Sequence, residues 1–299
     1  MDALANTPPQ FTTFLQHLIA RAVAGGGFTD RPGGHYRPDA TAWAVLTLSR
    51  KGTRGDLLDP ARSRLTQDQG EDGRISISFD HPEAFWPTPM AVLAWQGSPA
   101  HREAQERAVQ FLLLTTGRHW QKDSASPLGH NPALKGWPWI GDTHSWIEPT
   151  VLSILALDAC GYGDHARVRE AVQLLMDRQL PHGGWNYGNT TVFGQELHPA
   201  PESTGAALHA LAGRVPRKLV QGSLDYLNRQ IGKLRTPIAL GWSLLGLRSW
   251  GMLPAEAPQL VVNCFARQER YGAYETTALC VLLFSVSAPA GLARVGSGE

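Results

Sequence analysis

Cysteine is scarce in this chain, and what little there is follows no pattern. Cys160, Cys264 and Cys280 form no CxxC pair, which argues against a disulfide framework and against a thiolate zinc site. Net charge is also nearly absent: 27 basic and 26 acidic residues leave +1. That balance gives no general attraction for nucleic acid or an anionic membrane. No apolar run approaches the ~20 residues needed to cross a bilayer. The start, MDALANTPPQ, lacks a basic region followed by an apolar core, so no signal peptide is expected and the chain reads as cytoplasmic. The phosphate-cradling GxxxxGK[ST], the GxSxG elbow and HExxH are all missing. What the chain does have is 31 glycines, 21 prolines and ten tryptophans in 299 residues. This combination predicts short helices, many irregular turns and aromatics with a purpose.

Repeats organise the rest. Six short apolar segments align: 40–48, 87–95, 149–157, 203–211, 239–247 and 275–283. Five carry threonine at the second position (Thr41, Thr88, Thr150, Thr204, Thr276), and the fifth copy has Leu240. They are apolar nearly all round, as helices buried on every side must be. More amphipathic segments precede them, clearest at 100–116, 164–179, 216–231 and 255–268, each with one apolar stripe. Alternation of the two kinds predicts an all-α fold: six helical hairpins in two concentric rings, an α/α toroid. It should occupy 1–286 as one domain. Residues 287–299 should form a poorly ordered tail, because they offer little to bury. The junctions repeat as well. Residues 179–185 (QLPHGGW) fit QxxxGxW, 268–274 (QERYGAY) end in tyrosine, 69–75 (QGEDGRI) end in isoleucine, and Phe28 follows three glycines. Glycine there suits a left-handed helix end, with the aromatic packing back over it.

On these segments the chain resembles the prenyltransferase and squalene oxidase repeat superfamily, which includes squalene–hopene cyclases, class II diterpene cyclases and protein prenyltransferase β subunits. The likeness spans roughly residues 10 to 285 and is most specific at 179–189 and 202–211. It implies an α/α barrel with a reactive cavity inside the ring. Fold alone does not choose the chemistry.

The inner-helix starts carry the candidate acids. Asp39, Glu148 and Glu202 each stand two residues before a repeat threonine, and each has a histidine four residues earlier: His35, His144 and His198. If the inner helices run parallel, these groups gather at one rim. Acids there also cap free backbone N–H groups and complement the helix dipole, so capping and catalysis both stand as readings. Residues 37–42 (RPDATA) lie on the DxDDTA motif of class II cyclases. The resemblance makes Asp39 the proton donor and His35 its support, although Arg37 and Ala40 replace the motif's other aspartates. Trp86, Trp139, Trp146, Trp185 and Tyr187 are candidates to line the cavity, with His144 and His198 as further binding residues. Aromatic faces stabilise a migrating cation without attacking it.

The resemblance thus implies an isoprenoid cyclase or isomerase using acid-initiated carbocation chemistry on a polyprenyl or other hydrophobic substrate, without a cofactor. Two alternatives stand beside it. One is a non-catalytic toroid that binds a lipid or peptide, or docks a partner. The other is a prenyltransferase-like enzyme with an atypical metal site. The family's zinc positions here hold Ala40, Pro87, Pro149, Ser203, Ala239 and Glu275, so the usual ligand set is missing and no metal is expected. A lone toroid leaves its mouth open to water, which would quench a cation. The insertion 117–147 and the loop 186–201 are candidate lids, and a homodimer, a partner subunit or peripheral membrane contact would also close the mouth.

Overall fold

The computed structural model describes residues 9–49, 55–122 and 126–287. Its long helices are α1 (Pro9–Ile19), α2 (Pro38–Ser49), α3 (Gly55–Gln67), α4 (Thr88–Trp95), α5 (Arg102–Leu114), α6 (Ile147–Ala159), α7 (Ala166–Asp177), α8 (Pro201–Leu211), α9 (Gln221–Gln230), α10 (Pro237–Ser249), α11 (Ala257–Ala266) and α13 (Thr276–Ser287), with the single-turn α12 (Gln268–Tyr271) between the last two. Helices α2, α4, α6, α8, α10 and α13 contact one another in a closed cycle, and α3, α5, α7, α9 and α11 pack outside them. The inner helices fall on the six expected segments within a few residues. The expected tail, 287–299, starts at the last residue of α13, Ser287, and the rest of it, 288–299, lies outside the described residues.

Closure joins the two ends of the sequence. Helix α1 packs on α13 and α11. Thr276 donates its hydroxyl to the Thr29 carbonyl at 2.5 Å, and Arg21 donates to that same hydroxyl at 2.9 Å. The last inner helix is thereby tied to the first copy.

The repeat threonines explain themselves. Thr41, Thr88, Thr150, Thr204 and Thr276 are all fully buried. Four of them accept the backbone N–H of the junction residue: Phe28, Ile75, Trp137 and Trp185, at 2.9–3.1 Å. Each such clamp satisfies a backbone donor that has no water to turn to. The junction aromatics act in the same frame. Trp137 donates its indole N–H to the carbonyl of Leu112, Trp185 to Leu175, and Tyr274 its hydroxyl to Cys264. Each acceptor lies two residues from the end of its outer helix, where carbonyls lack intrahelical partners. Gly73 and Gly183 adopt φ of +93°, and a Cβ on either would meet the backbone of the next outer helix at 2.3 and 2.5 Å. The junction glycine therefore serves close packing as well as the turn.

Between inner helices the approach is also tight. A Cβ on Gly205 would lie 2.3 Å from the Trp242 carbonyl oxygen, so α8 and α10 touch backbone to backbone. Helix α13 lies between α2 and α10, yet Trp43 and Trp242 meet edge to face with centroids 6.0 Å apart. Both indoles are fully buried in the core, each five residues past the start of its helix, roughly 7 Å along it at ~1.5 Å per residue.

Candidate functional site

The N-termini of α6 and α8, neighbours in the inner ring, bring two carboxyls together. Glu148 is in the first turn of α6 and Glu202 in the first turn of α8, both half-buried. The loop between Trp185 and Gly188 is stapled over them. Trp185 is held by Thr204 and its carbonyl accepts from Ala200, while Asn186 donates to the His198 carbonyl. The Tyr187 carbonyl accepts the Ile147 N–H at 2.9 Å, and its hydroxyl donates to Glu202 Oε1 at 2.8 Å. No hydrogen bond to the Glu148 carboxyl is found among the described residues. Desolvation, and then the nearby Glu202 charge, push Glu148 up to about 7. Two adjacent carboxyls in a recessed site do not both ionise readily, so one keeps its proton. Such a pair can deliver a proton from one member and accept one at the other.

Asp39 has a different setting. It is buried, and both its oxygens are engaged by Arg37, Nε to Oδ1 at 2.9 Å and Nη2 to Oδ2 at 3.1 Å. Thr277 of α13 donates to Oδ2 at 3.4 Å. Both carboxylate oxygens are thus occupied by donors, and the residue links α2 to α13. His35 is exposed, and its backbone, not its ring, bonds to Asp30. Arg37 takes the supporting place expected of His35.

The histidine–acid recurrence does not yield dyads. His198 is exposed. His144 turns towards the buried His130, ring centroids 5.4 Å apart, and meets the edge of Trp146. Burial, reinforced by the Arg178 charge, lowers His144 to about 4 and His130 to about 3. Both stay neutral at ordinary pH. A four-residue spacing implies proximity only within a helix, and these histidines precede theirs. Among the described residues no group of three or more His, Cys, Asp or Glu could hold a metal ion.

Of the expected aromatics, Trp86 and Trp139 are half-buried and pack edge to face at 5.3 Å, Trp146 is half-buried at the start of α6, and Tyr187 is 54% exposed. Trp185 is a correction. It is fully buried and its N–H caps α7 through Leu175, so it belongs to the core. Trp137 is its counterpart in the third copy, which the insertion hides in the sequence. Tyr226, whose hydroxyl donates to the Pro199 carbonyl, also lies near Glu202. Only its helix, not any motif, could have marked it.

The described parts of the two segments expected to be lids pair with each other. Leu128 and Val192 make an antiparallel bridge, Gly129 donates to the Thr191 carbonyl, and Phe193 donates to Pro127. Strands β1 (Thr191–Val192) and β2 (Gln195–Glu196) pair as a small hairpin within the second segment.

No family model matches the chain, and no curated protein matches it in sequence. Solved structures do match in shape. A variant of the type II terpene cyclase MstE from Scytonema, in complex with its substrate geranylgeranyl dihydroxybenzoate, superposes with a TM-score of 0.62 at 13% identity, covering 94% of this chain and 98% of that one. The chain is an α/α toroid. An alpha-amylase from Clostridium perfringens superposes with a TM-score of 0.59 at 9% identity, covering 94% of this chain and 99% of that one. For a glycoside hydrolase family 76 mannosidase from Bacteroides thetaiotaomicron the TM-score is 0.54 at 8% identity, covering 94% and 97%. At these identities the toroid carries the likeness and the chemistry does not follow from it. No described helix of this toroid is long and apolar enough to cross a membrane.

Proposed function

We propose that the chain is an isoprenoid cyclase- or isomerase-like enzyme in which Glu148 is the acid and Glu202 its charged partner. The observation that carries this reading is the half-buried carboxyl pair at the starts of α6 and α8, where desolvation and then the Glu202 charge push Glu148 up to about 7. A general acid works best when its pKa lies near the working pH. An acid this weak gives its proton readily to an oxygen and reluctantly to a bare alkene. The favoured substrates are therefore isoprenoids with a basic oxygen, such as an epoxide. Glu148 protonates that oxygen, the C–O bond breaks, and a neighbouring alkene attacks the cationic carbon. The proton released when the new alkene forms goes to Glu202. The net reaction is an isomerisation, and exchange with water returns the proton to Glu148. Trp86 and Trp146, which precede α4 and α6, and Trp139, packed against Trp86, supply aromatic faces for the cation.

The carboxyl pair also supports a second reading, glycoside hydrolysis, which uses one protonated and one ionised carboxyl; two of the structures of like shape are glycan hydrolases. Purified protein incubated separately with polyprenyl epoxides, polyenes and aryl glycosides, with products read by mass spectrometry, separates the two. A cyclised isomer is expected from the epoxides, and Glu148→Gln should lower its yield at least ~100-fold. Full turnover by Glu148→Gln would overturn the assignment of the acid. Turnover of glycosides alone would overturn the substrate class.

A further inference from the structure

We propose that Arg178, His130 and His144 form a buried binding site for a small monovalent anion of the chloride class. The site lies where the insertion 117–147 meets the end of α7, away from the carboxyl chemistry and independent of how that pair is read. Arg178 is 1% exposed; its guanidinium donates to the Ser145 carbonyl, while its Nε finds no partner among the described residues. Asp177 is the acid whose charge reaches it, yet no ion pair joins the two. That carboxylate is exposed and accepts the Asn131 N–H at 2.8 Å instead. A charge taken out of water is ordinarily offset by an opposite one, and no described side chain supplies it here.

His130 is equally buried, and neither of its ring nitrogens has a hydrogen-bond partner among the described residues. The neighbouring ring of His144 leaves its buried Nε2 unpaired as well. A neutral imidazole carries one N–H, so the three side chains can present three donors to one guest. The titratable groups acting on His130 are Arg178, His144 and Lys122, all basic, and Lys122 is held close by its bond to the Gly129 carbonyl. That field repels a cation, which argues against a metal between the two imidazoles, and it draws an anion. Water would satisfy the nitrogens but leave the Arg178 charge uncompensated. Burial sets the size: a guest beside His130 and Arg178 is cut off from solvent, which favours a halide over the head group of a larger ligand. The cluster also borders the loop of the carboxyl pair. A Cβ on Gly188, next to Tyr187, would lie 3.4 Å from Arg178 Nη1 and 3.1 Å from the Trp146 ring. An anion that fixes Arg178 therefore fixes the surface on which that loop rests.

The test melts the purified full chain in sodium gluconate while sodium chloride replaces it at constant ionic strength. The melting temperature should rise and saturate, by about 5 °C at a hundredfold excess over the half-saturating concentration. Arg178→Met, which keeps an unbranched side chain without the charge, should show no such rise. Should that variant fold poorly, His130→Phe keeps a ring, removes both nitrogens, and should raise the half-saturating concentration at least ~10-fold. Crystals of the natural protein soaked in sodium bromide should show an anomalous peak among Arg178, His130 and His144. A chloride response equal in the natural protein and the variants would overturn the proposal. So would density there without a bromide signal, which marks a water, or saturation only near molar chloride, which marks an adventitious ion only. None of these measurements needs a substrate, so their failure is distinct from failure to turn over isoprenoids.

Discussion

Replacing Glu148 by glutamine should stabilise the fold, and only above mildly acidic pH. In the folded chain this carboxyl titrates at about 7 against an ordinary 4.5, first because it is desolvated and second because Glu202 is near. Below about pH 4.5 both folded and unfolded chains carry the proton, so the residue costs nothing. As pH rises towards 7 the unfolded chain ionises freely while the folded one resists, and stability drains away until Glu148 is ionised in both. At ~1.4 kcal/mol per pH unit the full loss is at most about 3–4 kcal/mol, reduced by water reaching this half-buried group. Glutamine keeps the shape and never ionises. For a chain of this size, with ~2 °C per kcal/mol, the variant should melt about 5 °C higher than the natural protein at pH 8 and equally at pH 4. Melting curves by circular dichroism at pH 4, 6 and 8 measure this directly. A stability difference that does not change with pH would refute the reasoning, since it would mean that Glu148 is not held protonated by its surroundings. Glu202→Gln is the control, because it removes only the second cause and should recover part of the gain.

Two further outcomes follow from the packing. Thr150→Val should cost about 1–3 kcal/mol, read from thermal or denaturant melts, because the fully buried Trp137 N–H loses its acceptor while the volume barely changes. Asp39→Asn should cost about 1 kcal/mol through the loss of its part-exposed ion pair with Arg37 and leave turnover intact; loss of turnover with folding preserved would return the acid's role to Asp39.

The sequence by itself determined the repeat, and the repeat determined the toroid. The apolar segments, their threonines and the junction residues are local features that recur in register, and four of the five threonines clamp the junction of their own copy. That is why the inner helices could be bounded within a few residues. The third junction is not legible in the sequence because Gly136-Trp137 lies within the insertion and outside the repeat frame. An aromatic such as Trp185 looks the same in sequence whether its face or its N–H is used; a carbonyl near the end of α7 decides for the N–H. The site itself is a property of the closed ring. Asp39 matches a known motif, but Arg37 two residues away claims both its oxygens. Glu148 and Glu202 are 54 positions apart and become neighbours only because α6 and α8 adjoin in the cycle. Whether a carboxyl is an acid or an anion depends on desolvation and on which charge lies beside it, and both are set by tertiary packing.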